Sequence, residues 1–200
     1  MKCILCERFS LSHICTPCQE KFLTPSLYKR KINNTQVYTF YKYSEIKDLL
    51  YTKHSDLGYY IYRLLAQKSF GEFARSFALE GEDEIFASIA IDDVPKSGYS
   101  HTAILNEALK NPNIKVLRNI LRDESGVSYA GKSKAFRLLN PRKFSLKPFA
   151  HKEVILVDDI ITTGLTFSAA IKKLEQEGKE VAFCLALADV QSNKNDKGYK

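Results

Sequence analysis

Residues 154–166 read VILVDDIITTGLT: four apolar residues, the carboxylates Asp158 and Asp159, two more apolar residues, then hydroxyls around a glycine. A strand that ends in two acids and turns into a helix places those acids where open parallel sheets bind ligands, beyond their carboxyl ends. The helix N-terminus that follows offers free backbone N–H groups and the positive end of a dipole, both favourable to an anion. Gly164 lets the backbone approach that anion closely. Thr162, Thr163 and Thr166 add hydroxyl donors. Two carboxylates beside such a cradle suit the vicinal hydroxyls of a sugar, so the stretch fits a ribose 5-phosphate. Competing patterns fail: neither G-x-G-x-x-G nor G-x-x-x-x-G-K-[ST] occurs. Helix capping, or Mg²⁺ binding as in a receiver domain, would explain the acids but leave the threonine-glycine run without a purpose.

A second cluster lies at the other end of the chain. Four of the five cysteines form Cys3-x-x-Cys6 and Cys15-x-x-Cys18. Four thiolates at this spacing match a tetrahedral Zn²⁺ site. A segment so short cannot bury a core of its own, so a metal is expected to hold it together. Two disulfides, a redox pair or an iron–sulfur cluster use the same residues, and His13 could compete as a ligand but reads as a bystander, since four cysteines fill the shell. Structural zinc is the expected occupant. Cys184, inside an apolar run, reads as a core residue.

The elements that must position these groups follow from patterning. Two hundred residues with 44% apolar and 26% charged content suit one globular α/β domain with a small appendage. Strands are expected over 37–43, 85–91, 114–120, 154–157 and 181–188. Helices are expected over 44–54, with Ser44 as cap, and over 59–77, 102–109 and 166–177, with a short one near 133–139. Gly178 stands at a helix C-cap. The βαβ unit at 154–188 implies a parallel sheet. The expected division is a cysteine unit over 1–35, the main domain over 36–190 and a disordered tail over 191–200. No stretch reaches the roughly 20 apolar residues of a membrane span, and MKCILCERFS lacks a signal-peptide core, so a cytoplasmic location is expected.

Charge is segregated. Nine basic residues against Asp123 and Glu124 lie between Lys115 and Lys147, an excess of seven that equals the net charge of the chain. Residues 80–93 carry six acids and no base. A basic patch of this kind meets phosphates of a nucleotide or a nucleic acid, or is a solvated face.

The stretch VILVDDIITTGLT resembles the 5-phosphoribosyl-1-pyrophosphate (PRPP) signature of type I phosphoribosyltransferases. That resemblance implies a type I phosphoribosyltransferase-like parallel-sheet domain, with Asp158 and Asp159 at the ribose and reaction centre. It implies Ile161, Thr162, Thr163, Gly164, Leu165 and Thr166 around the 5-phosphate, with Mg²⁺ accompanying PRPP. A four-cysteine knuckle ahead of such a domain resembles the ComF family of competence proteins. YKYSEIKDLLYTKH (41–54), an aromatic strand and helix leading to a lysine, and Arg137-x-x-Asn140-x-x-x-Phe144 resemble elements of that family. Where the family shows Arg-Gly-Phe-Asn-Gln, this chain has Ser97-Gly98-Tyr99-Ser100-His101. Asp92 and Asp93 occupy the loop where type I enzymes place pyrophosphate, and two aspartates there would repel it unless Mg²⁺ intervenes.

The ComF resemblance further implies a role in natural transformation, with single-stranded DNA as a partner and a DNA-uptake helicase or recombination proteins as associates. Arg118, Arg122, Lys132, Lys134, Arg137, Arg142 and Lys143 are the expected DNA contacts, because single strands bind through backbone charge and base stacking. The alternative implied by the same signature is an active Mg²⁺-dependent phosphoribosyltransferase acting on PRPP and an unidentified acceptor.

Overall fold

The computed structural model describes residues 1–79, 85–92, 98–126, 133–140 and 142–191. Its elements in chain order are α1 (Thr16–Phe22), β1 (Tyr28–Ile32), β2 (Thr35–Lys42), α2 (Tyr43–Leu50), α3 (Asp56–Ala66), α4 (Glu72–Leu79), β3 (Phe86–Asp92), α5 (His101–Glu107), β4 (Ile114–Asp123), α6 (Lys134–Leu139), β5 (Phe144–Leu146), β6 (Glu153–Ile161), α7 (Leu165–Gln176) and β7 (Glu180–Asp189). A 3₁₀ turn, Tyr51–His54, links α2 to α3, and a π-turn, Gln67–Gly71, joins α3 to α4. The expected α/β class, a largely parallel sheet with a four-cysteine cluster near the N-terminus, is the class this chain adopts.

One seven-stranded sheet has the order β1-β2-β7-β6-β3-β4-β5. The five central strands are parallel, and the outer strands β1 and β5 run antiparallel to their neighbours. Strands buried on both faces read as continuous apolar runs, as VILV and CLALA do here. Alternation along β6 divides the core: Ile155 and Val157 join the cluster under α2, α3 and α5, while Val154 and Leu156 join the one under α7. Cys184 is fully buried, as expected of a core residue, and Gly178 follows α7 with φ 71°.

The cysteine segment is continuous with this architecture. Cys3, Ile14, Cys18 and Leu23 belong to the same apolar cluster as Tyr41, Ile61, Tyr62 and Leu65. Residue 35, the expected limit of the N-terminal unit, begins β2, which pairs with β1 across Asn33 and Asn34. Two short strands that patterning does not show, β1 and β5, close the sheet edges. Their sequences, YKRKI and FSL, are charged or brief, which suits an edge. Lys42, not Ser44, is the N-cap of α2, and Glu45 Oε2 accepts from its backbone N–H at 3.1 Å. The acidic loop 80–84, Asp93 to Ser97, and the tail beyond Gln191 lie outside the described residues. Among the described residues, no helix is long and apolar enough to cross a membrane.

Candidate functional site

β6 delivers Asp158 and Asp159 to the carboxyl edge of the sheet, both more than nine-tenths buried. Side chains alternate along a strand, so the two carboxylates leave β6 on opposite faces. Asp159 follows Ile155 and Val157 onto the α3–α5 side. There its Oδ2 accepts from Lys53 Nζ at 3.2 Å, lies 3.2 Å from His101 Nε2, and accepts from the Tyr62 hydroxyl at 3.5 Å. Burial opposes ionisation of Asp159, but the Lys53 ammonium and the His101 imidazole outweigh it and hold the carboxyl well below the usual range. Tyr62 moves the other way: burial, then the negative field of Asp159, pushes its hydroxyl well above the ordinary phenol value. Asp158 Oδ1 accepts from the backbone N–H of Asp159 at 2.8 Å, which fixes its rotamer.

Three local structures bring these partners in. Lys53 sits on the 3₁₀ turn between α2 and α3. His101 is the first residue of α5, whose N-cap Ser100 accepts from Ala103 N–H at 3.1 Å. The Tyr99 hydroxyl donates to the Lys53 carbonyl at 2.7 Å, tying the α5 entry to the turn that carries Lys53. Beside β6, the end of β3 supplies Asp92, whose Oδ1 accepts from Ser100 Oγ at 2.7 Å and Thr102 Oγ1 at 3.1 Å. Burial raises its pKa, against the pull of those two hydroxyls.

The threonine-glycine turn leads from β6 into α7. Gly164 is the N-cap, left-handed at φ 80°, and no side chain caps the helix. The N–H groups of the first turn therefore have no intrahelical acceptor, the first such bond being from Ser168 N–H to the Gly164 carbonyl at 2.9 Å. Thr162, Thr163, Leu165 and Thr166 are partly exposed, whereas the Ile161 side chain is core and leaves only its backbone for a ligand. The acids and the turn are thus contiguous at one edge of the sheet.

The four cysteines converge. Their Sγ atoms all lie within 4.8 Å of one another, and Cys6 and Cys15 are separated by 3.7 Å. A tetrahedron with Zn–S bonds of about 2.3 Å has S···S edges of roughly 3.8 Å, so the set fits zinc. Cys15 is the N-cap of α1, with Pro17 in the first turn and Cys18 just beyond it. The Cys15 N–H, 3.4 Å from Cys3 Sγ, helps lower that thiol to about 6, while burial pushes Cys18 up to about 12.

The expected DNA contacts separate into two kinds. Arg118 pairs with Glu107 on the surface, and the Arg142 guanidinium is largely buried against Asp123. Arg122 and Lys143 are exposed on neighbouring segments of the β4–β5 edge, where Glu124 N–H bonds the Lys143 carbonyl at 2.8 Å. Lys132 lies outside the described residues, as do the side chains of Lys134 and Arg137.

Sequence reasoning passed over His101 and Tyr62 as site residues. Lys53 carried a signal, as the lysine to which the 41–54 stretch leads. His101 ended the Ser97–His101 stretch compared with the family without being read as a site residue, and Tyr62 carried no signal, because only the tertiary fold brings it to β6.

No protein-family model matches the chain. A 57-residue stretch is 42% identical to an orotate phosphoribosyltransferase of Novosphingobium aromaticivorans, and the chain spans 28% of the length of that curated relative. The same match covers 28% of this chain. Among solved structures, a Trypanosoma cruzi hypoxanthine phosphoribosyltransferase is 16% identical with a TM-score of 0.42, over 68% of this chain and 70% of that one. A hypoxanthine phosphoribosyltransferase from Staphylococcus aureus is 13% identical with a TM-score of 0.40, over 68% of both chains.

Proposed function

We propose that this protein binds a 5-phosphorylated ribose, with PRPP as its ligand, on a phosphoribosyltransferase-like domain that acts in natural transformation. One observation carries the ligand reading: β6 ends in Asp158 and Asp159 and passes through left-handed Gly164 into a helix with no side-chain cap. Uncapped N–H groups at a helix start favour an anion, and carboxylates one turn away favour hydroxyls. Such a ligand combines both chemistries at that spacing. Mg²⁺ would arrive with the pyrophosphate and offset its charge near Asp92 and Asp158. Zinc is the proposed occupant of Cys3, Cys6, Cys15 and Cys18, with a structural role.

The single-stranded DNA part rests on the exposed Arg122 and Lys143 at the β4–β5 edge and on the ComF resemblance. A helicase or recombination partner follows from that resemblance alone. The alternative, an active phosphoribosyltransferase with an unidentified acceptor, is favoured by the local identity to an orotate phosphoribosyltransferase.

Titration calorimetry with ribose 5-phosphate and with PRPP, each with and without Mg²⁺, tests the ligand reading. Binding by the unsubstituted chain and its loss in Asp158→Ala/Asp159→Ala are expected; equal binding by the double variant would sink it. Release of pyrophosphate on adding a nucleobase would decide for the enzyme. A labelled oligonucleotide whose mobility shift does not weaken with salt would count against DNA binding through phosphates.

A further inference from the structure

We infer that Arg30, on the edge strand β1, is a positioning residue for the phosphate turn, an inference that rests on the ribose-phosphate reading above. Its guanidinium bridges the two strand ends that flank the turn. Nη1 donates to both carboxylate oxygens of Asp189, at the end of β7, at 3.0 Å each, and Nη2 donates to the Thr162 carbonyl at 3.1 Å. Gln191 Oε1 accepts a further, longer bond at 3.3 Å. Two residues on, Ile32 fills the space beside Gly164, so that a Cβ there would run into its side chain. Asn33 Nδ2 then donates to Ser168 Oγ in the first turn of α7 at 3.2 Å. β1 and the residue that follows it thus hold the turn at Thr162 and Gly164 and the start of α7 at Ser168.

Two physical consequences follow from the Arg30 contacts. A peptide group is planar and trans, so fixing the Thr162 carbonyl toward the guanidinium directs the Thr163 N–H the opposite way. That N–H belongs to the cradle. The second consequence is electrostatic. Asp189 is a buried carboxylate at the edge that would receive the phosphate, with a side chain only 4% exposed. Left alone, its charge would repel an anion; paired with Arg30, its field is largely cancelled. Arg30 acts through the turn and through Asp189, which makes it a positioning residue.

The experiment uses the full zinc-loaded chain, with ribose 5-phosphate and inorganic phosphate as probes. Calorimetry, run well below the thermal midpoint of each variant, should show Arg30→Met binding both roughly tenfold more weakly, the loss expected for one charge-assisted hydrogen bond. Arg30→Lys should recover most of that loss. Amide hydrogen exchange without ligand should be faster at residues 162–166 in Arg30→Met and unchanged in α5. Unaltered affinity or unaltered exchange in Arg30→Met overturns the inference while leaving the ribose-phosphate reading intact. Absence of binding by the unsubstituted chain overturns both. If Arg30→Met does not fold, Asp189→Asn carries the test. It removes the opposing charge while Arg30 stays on Thr162, so phosphate should bind more tightly, and unchanged affinity would refute the role.

Discussion

Lys53 Nζ and Asp159 Oδ2 lie 3.2 Å apart, although 106 residues separate them in the chain. With His101 on the same oxygen, this pair keeps a buried carboxylate ionised at the sheet edge. Because the folded pKa of Asp159 is depressed, its contribution is complete above the unfolded carboxylate value near 4, about where Asp titrates in peptides. It is lost as pH falls below that toward the folded value. Replacing Lys53 with Met removes the ammonium that most favours the charged carboxylate. Acid unfolding followed by circular dichroism should therefore begin at a higher pH in Lys53→Met, and an unshifted acid midpoint would show that the pair does not hold the charge.

Gly164 offers a test of the turn itself. Its φ of 80° disfavours any side chain, and a Cβ would also strike Ile32. Gly164→Ala should cost about 1–2 kcal/mol from the backbone alone, plus the steric part, read as a lower urea midpoint. In an Ile32→Ala background, which loses core packing of its own, Gly164→Ala should cost only the backbone part. A glycine substitution equally costly in both backgrounds would mean that Ile32 yields without resistance.

The cysteine cluster shares a core with α3, since Cys3, Cys18 and Leu23 pack in one apolar cluster with Tyr62 and Leu65. Chelating the proposed zinc, or substituting Cys6→Ser, should lower the midpoint of the whole thermal transition by about 5 °C or more. The transition should remain single, because the cysteine segment packs into the same apolar cluster as α3. Two resolved transitions in calorimetry would contradict this coupling.

Arg142 and Lys143 are neighbours with opposite expectations. Arg142 is largely buried against Asp123, with side-chain exposures of 12% and 4%. Removing one partner of a buried pair costs roughly 3 kcal/mol or more, so Arg142→Ala should unfold at markedly lower urea. Lys143→Ala should leave the midpoint unchanged and, if DNA follows the β4–β5 edge, reduce the salt slope of oligonucleotide binding by about one. A stable Arg142→Ala that loses DNA binding would reverse these assignments.

The βαβ unit from β6 to β7 was legible because everything it needs lies within about 36 consecutive residues: an apolar run, a glycine, a helical stripe and a second apolar run. The convergence of the cysteines was legible for the same reason, since both pairs lie in the first eighteen residues. β1 was not, because YKRKI has the charge of a loop and becomes a strand only through pairing with β2. Nor was the partnership of Asp159 with His101, which depends on where α5 begins relative to β6. Ser44 offered a plausible cap, yet Glu45 reaching back to the Lys42 N–H moved the helix start two residues earlier. Arg118 and Arg142 look alike in the basic segment, and only the fold gives one an exposed acid and the other a buried one.

The placement of β2 beside β7 has a consequence for biosynthesis. Val37 sits opposite Cys184 and Tyr41 opposite Ala188, so an early strand receives its parallel neighbour only when nearly the whole sheet-forming sequence has been made. At roughly 5–20 residues per second, a ribosome takes on the order of ten seconds or more to supply it. During that interval the backbone groups of β2 that face β7 in the finished sheet have no strand to pair with, an open edge of the kind that folded sheets normally cover.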